Sequence, residues 1–135
     1  MGKAANSSIS LKQIHVTDNF WNKYVHLVKD VIIPYQWDIL NDKLEDVETS
    51  HCIENFKIAA GEKEGEFQGA VFQDTDVAKW LEAVGFVLNY ERDEKLEELA
   101  DETIELIGRA QQPDGYLNTY FTIKEPDGRW SNLME

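Results

Sequence analysis

The apolar positions between residues 74 and 111 fall into two helical patterns of different kinds. From 75 to 90, Val77, Trp80, Leu81, Val84 and Leu88 form a stripe at helical spacing, and Ala78, Ala83, Phe86 and Val87 extend the apolar character around the helix. A helix apolar on most sides is expected to be buried on most sides. From about 94 to 111, Leu96, Leu99, Ala100, Thr103, Ile107 and Ala110 line one face. Asp93, Glu94, Glu97, Glu98, Asp101, Glu102 and Glu105 cover the other, as on a helix with one solvated side. A tight turn at 90–93 joins the two. The pair predicts an αα-hairpin whose outer helix shields an inner one.

Upstream, residues 1–8 are small and polar and read as a loose end. Ile9, Leu11 and residues 14–16 suggest a short extended segment. Thr17 and Asp18 are a helix start signal, and Phe20, Tyr24, Leu27, Val28 and Val31 then recur at helical spacing. Pro34 removes a donor and is expected to kink or break this helix, which resumes over 35–44. Trp21 and Trp37 are expected in the core. Residues 45–50 are polar and read as a loop. His51, Ile53, Phe56 and residues 58–60 pattern as a short helix, with Gly61 as its C-terminal cap. Pro113-Asp114-Gly115 and Pro126-Asp127-Gly128 are turns, because Pro presets φ and Gly accepts positive φ. Tyr116, Asn118 and Tyr120 alternate with Leu117, Thr119 and Phe121, giving one aromatic-polar face. No closing helix is expected over 130–135. The whole reads as all-α.

The candidate chemistry sits where the inner helix begins. Asp74 and Asp76 follow the Gly- and Phe-bearing stretch Phe67-Gln68-Gly69-Ala70-Val71-Phe72-Gln73. Orphan N–H groups and the helix dipole favour acids there, so each is a candidate cap as well as a candidate site residue. A backbone N–H bond at this helix start is expected to one of them. His51 and Cys52 are adjacent, point in different directions on a helix, and read as structural. No Gly-rich phosphate loop and no Ser-His-Asp spacing stands out.

The totals narrow the partners. The 135 residues are 42% hydrophobic and 29% charged, enough for one domain with a real core. A net charge of −13 argues against nucleic acid or an anionic membrane surface. No apolar run reaches membrane-spanning length, no signal-peptide core opens the chain, and the single cysteine excludes an internal disulfide. A cytoplasmic location is the expectation.

Three long motifs carry a resemblance. They are Asn55-Phe56 with Ala59-Ala60-Gly61, the stretch from Gly69 to Ala83, and Gln111-Gln112-Pro113-Asp114-Gly115-Tyr116-Leu117-Asn118-Thr119-Tyr120-Phe121. Together with Phe20-Trp21 they resemble the N-terminal part of glycoside hydrolase family 127, the β-L-arabinofuranosidase family. The resemblance runs from about Ile9 to the end of the chain. It implies an (α/α)6 barrel of alternating inner and outer helices, of which residues 9–135 form the N-terminal part. It implies retaining hydrolysis of terminal L-arabinofuranosyl bonds by a cysteine nucleophile held near zinc, with a glutamate as acid/base. Those residues belong to later parts of a longer chain. No catalytic or metal-binding residue transfers here, Cys52 does not match the catalytic cysteines, and this chain alone is expected to be inactive.

What does transfer by motif is Phe72, Asp74, Asp76, Tyr116 and Asn118, as substrate-binding or supporting residues near the pocket end of the inner helix. The partner so implied is an arabinofuranosyl oligosaccharide, and zinc is the cofactor of the family rather than of this chain. An opened barrel would also leave an apolar face for self-association. The competing readings are another helical-barrel glycosidase, such as an unsaturated uronyl hydrolase using Asp74 or Asp76, and a non-catalytic helical interaction module.

Overall fold

The computed structural model describes residues 9–130, and every regular element among them is helical. A 3-10 turn at Leu11–Gln13 comes first. It stands where an extended segment was expected, since with no neighbouring strand the backbone groups close locally, Gln13 N–H on Ser10 O and Ile14 N–H on Leu11 O. α1 (Trp21–Leu27) opens at the expected signal: Asp18 Oδ1 accepts the N–H groups of Phe20 at 3.0 Å and Trp21 at 2.8 Å.

Pro34 neither breaks nor ends this helix. A π-helical turn, Val28–Ile32, leads directly into α2 (Ile33–Leu40), with Pro34 in its first turn. There a missing N–H is tolerated, and the wider π turn absorbs the ring. α2 stops at Leu40, four residues before the expected end. Asp42 turns left-handed at φ 56°, and the N–H groups of Asp42 and Lys43 close back on Ile39 O and Asp38 O. That is a Schellman ending with aspartate in the usual glycine position. α3 (Cys52–Ala59) ends the same way at Gly61, φ 73°.

α4 (Asp74–Tyr90) and α5 (Glu94–Ala110) form the expected hairpin, with Asp93 capping α5 through Lys95 N–H and Leu96 N–H at 3.2 Å. α4 packs against α2, α3 and α5, and α3 touches α4, α5 and the short α6 (Thr119–Ile123). The core gathers Ile33 and Leu40 of α2, Cys52, Ile53 and Phe56 of α3, Val77, Trp80, Val84 and Val87 of α4, and Ala100, Leu106 and Ala110 of α5. Trp80 Nε1–H donates to Ile33 O at 3.1 Å, and its ring lies 4.4 Å from that of Trp37. Glu97, Glu98 and Asp101 face solvent as expected.

Three further expectations need correcting. α4 buries a single stripe rather than most of its circumference: Phe86 is 57% exposed and Leu81 only half-buried. Partners pack on one side of α4 only. Trp21, expected inside, is 61% exposed, whereas Trp37 is half-buried against the core. The alternating pattern of 116–121 is cut short, because Asn118 caps α6 and the chain turns helical. The expectations of a loose end at 1–8 and of no closing helix over 131–135 fall on residues outside those described.

Candidate functional site

The start of α4 is fastened to two other helices. Asn55 of α3 is buried and holds Gln68 as a strand neighbour would, donating Nδ2–H to Gln68 O at 2.8 Å and accepting Gln68 N–H at 3.2 Å. Gly69 follows at φ 92°, where a Cβ would collide with the Gln73 side chain. That side chain folds back so that Gln73 Oε1 accepts Ala70 N–H at 2.7 Å. The Cys52 thiol donates to Gln73 O at 3.3 Å. The backbone of 68–73 is thus tied to α3 at both ends before α4 begins.

Asp74 does not cap its own helix. Its carboxylate accepts Thr119 N–H at 2.7 Å and Thr119 Oγ1–H at 2.6 Å, satisfying an orphan donor in the first turn of α6. The backbone bond expected at the start of α4 is instead made at the start of α6. Burial pushes the Asp74 carboxyl above its usual range, against the two Thr119 bonds that favour its charge. Asp74 therefore stitches two helices together.

Asp76, two residues on, faces the other way. It pairs with Lys79 Nζ at 2.9 Å and lines a groove of about 400 Å³ between α2, α4 and the 48–50 loop. Val28, Ile32, Ile33, Ile39, Leu40, Trp80 and Ala83 supply apolar wall. Gln36, Glu48, Thr49, Ser50, Gln73, Asp76 and Lys79 supply polar groups. An apolar wall with a few placed donors and acceptors suits a small ligand with both apolar and hydroxyl faces, such as a sugar.

The other candidates are scattered. Phe72 is 55% exposed and lies off the groove. Asn118 is the N-cap of α6, its Oδ1 accepting Phe121 N–H at 3.0 Å. Tyr116 packs edge-on to Trp130 at 5.0 Å and under the Arg129 guanidinium at 4.6 Å. Of the five expected site residues, only Asp76 lines the groove, while Asp74 and Asn118 converge on the start of α6. Sequence reasoning missed Gln36, Lys79, Trp80 and the 48–50 loop as groove residues. Trp80 read as core, which it also is, and a polar loop gives no sign of the wall it forms.

Catalytic groups are a separate matter. Cys52 is fully buried, and burial pushes its thiol up to about 11, so it is an inert thiol rather than a nucleophile. Among the described residues no three His, Cys, Asp or Glu side chains gather as a metal site, so these residues do not fit the zinc that the resemblance implies. No helix among them is long and apolar enough to cross a membrane.

The family model of the GH127 catalytic domain of β-L-arabinofuranosidases matches residues 13–135. The chain belongs to the GH127 family. A non-reducing end β-L-arabinofuranosidase from Bifidobacterium longum subsp. longum is 40% identical over 131 residues, 88% of this chain and 20% of that protein. The crystal structure of a GH127 β-L-arabinofuranosidase from Geobacillus stearothermophilus T6 superposes with a TM-score of 0.87 at 62% identity, covering 89% of this chain and 19% of that one. A second GH127 β-arabinofuranosidase structure superposes with a TM-score of 0.73 at 31% identity, covering 84% and 17%. The chain thus spans about a fifth of the length of the GH127 relatives it matches. Its helices match the N-terminal, barrel-like helical part of these structures. Membership of GH127 places the three motifs there rather than among the uronyl hydrolases.

Proposed function

We propose that this chain supplies the first helices of a β-L-arabinofuranosidase barrel, which removes terminal L-arabinofuranosyl groups from a glycan, and that Asp76 is a sugar-binding residue of that enzyme. The observation that carries this is the groove. A motif of the GH127 family ends in the helix whose Asp76, Lys79 and Trp80 line it. Retaining hydrolysis needs a nucleophile and an acid/base on either side of the bond. The described residues offer the inert Cys52 and no metal seat, so the role here is binding and scaffolding. Asp74 and Asn118 support the pocket end through α6, and Phe72 and Tyr116 are candidates for stacking beyond the groove. Zinc belongs to residues outside the described ones.

By itself the 135-residue chain is expected to be inactive on an aryl β-L-arabinofuranoside, with or without added zinc, and to self-associate through exposed Phe20, Tyr24 and Phe86. The direct test is a chimera of the Geobacillus enzyme in which the matched segment is replaced by residues 13–135 of this chain. We expect it to hydrolyse the same arabinofuranoside. Asp76→Asn in the chimera is expected to raise KM about 3- to 10-fold, the size of one ordinary net hydrogen bond. An inactive chimera, or turnover by the isolated chain, overturns the proposal.

A further inference from the structure

Two of the three non-glycine residues with positive φ among the described residues face each other across one loop, Asp42 at φ 56° and His51 at φ 56°. Such conformations are uncommon and persist where the surroundings enforce them. Here the enforcing group is the Asp42 carboxylate. Its Oδ1 accepts Ser50 N–H at 2.6 Å and His51 N–H at 3.0 Å, and its Oδ2 lies 3.4 Å from His51 Nδ1. The far side of the imidazole is used as well, with His51 Nε2 2.9 Å from Thr49 Oγ1. Both side chains are largely buried, 22% and 24% exposed.

The position of Asp42 makes this arrangement pointed. It ends α2 in a place where glycine or asparagine would serve the backbone. The carboxylate adds the reach across to 50–51, eight and nine residues on. The chain between leaves and returns at this one group, and its returning end, Glu48, Thr49 and Ser50, is the wall of the groove opposite Asp76 and Lys79.

We infer that Asp42 and His51 form a clasp that positions Thr49 and its neighbours in the groove wall and so sets how tightly the site holds its sugar. The inference rests on the arabinofuranosidase proposal above. Asp42 and His51 are positioning residues, acting through the loop, and Thr49 is the hydroxyl they present.

The test uses the active chimera. Asp42→Ala removes the carboxylate that holds Ser50 and His51, and Thr49→Ala removes the presented hydroxyl and its contact with His51 Nε2 while leaving the Asp42 bonds to 50 and 51 in place. Both are expected to raise KM for an aryl β-L-arabinofuranoside about tenfold, with kcat within about twofold. Asp42→Asn keeps one acceptor oxygen and tolerates positive φ, so it is expected to recover part of the KM. Leu106→Ala, a core truncation between helices away from the groove, is expected to lower Tm while leaving KM unchanged, separating positioning from stability. If Asp42→Ala lowers Tm but Thr49→Ala and Asp42→Asn both keep the parent KM, the clasp is only structural and the inference is overturned. An inactive parent chimera overturns the arabinofuranosidase proposal, and the clasp's role in binding falls with it. A parent that is active with unchanged variants overturns the clasp alone.

Discussion

α1 and α4 carry similar stripes of aromatic and aliphatic residues at helical spacing, yet they end in opposite environments. α4 is faced by α2, α3 and α5, and its Val77, Trp80, Val84 and Val87 are all buried. α1 makes its main contacts with the π turn that follows it. Phe20, Trp21 and Tyr24 pack on one another, with rings 5.1 to 5.9 Å apart, while each stays about half or more exposed. Beside them, Tyr24, Val25 and Val28 form with Ala83, Phe86 and Val87 an almost wholly apolar groove. Periodicity therefore reports which face of a helix is apolar. Whether that face is buried depends on a partner, and within the described residues only α4 has partners enough.

The sharpest way to break this comparison is to truncate one tryptophan from each helix. Trp80→Ala is expected to cost about 3–5 kcal/mol, since it removes a buried ring, its contact with Trp37 and the bond to Ile33 O. Trp21→Ala is expected to stay within about 0.5 kcal/mol in the isolated chain. Thermal melts followed by circular dichroism measure both, and equal shifts would show that α1 is as well packed as α4. In the chimera the same Trp21→Ala sharpens the point: a cost above about 2 kcal/mol there would mean that the aromatic face has found cover.

A second, smaller effect concerns the seam between α3 and the 68–73 loop. Asn55 is 1% exposed, and both of its amide functions are used by Gln68. Asn55→Ala takes both partners from the backbone N–H and C=O of Gln68 in a part-buried seam, an expected loss of about 1–3 kcal/mol. The Gln68 amide should lose its protection in hydrogen exchange at the same time. If stability and exchange both stay at the parent level, water replaces the amide at no cost and the loop is not held by α3.

Much of the fold was legible because its signals are local. Asp18, Gly61 and Asp93 each terminate or start a helix by bonds within four residues, and the acidic face of α5 needs only solvent. The errors came where distant groups decide. Pro34 looked like a break because the π turn that accommodates it has no signature in a single residue. Asp74 looked like a cap for α4, but its partner Thr119 lies 45 residues away. Residues 116–121 alternate as a strand would, and no strand is present for them to pair with among the described residues. The candidate site was legible at Asp76 alone. The wall opposite it is built by a carboxylate at 42 acting on 50 and 51, a pairing that no periodicity reveals.

Asp74 offers the finest test, because its two influences oppose each other. Burial favours the protonated acid, and the Thr119 bonds favour the carboxylate. Burial wins, so the folded carboxyl holds its proton to higher pH than the unfolded one, whose value is near 3.8. In the window just above that value the native state then binds more protons than the unfolded state. Stability contributed by this group is complete below the window and declines as pH rises through it, the reverse of an ordinary salt-bridged aspartate. The other acids of the chain contribute their own slopes, so the quantity to measure is the difference in unfolding free energy between the parent chain and Asp74→Asn. That difference is expected to fall from the acid side of the window towards pH 7, by less than either of the two core effects. A difference that rises with pH would show that the Thr119 bonds outweigh burial, and Asp74 would then hold α4 to α6 as a charged clamp rather than as a partly desolvated acid.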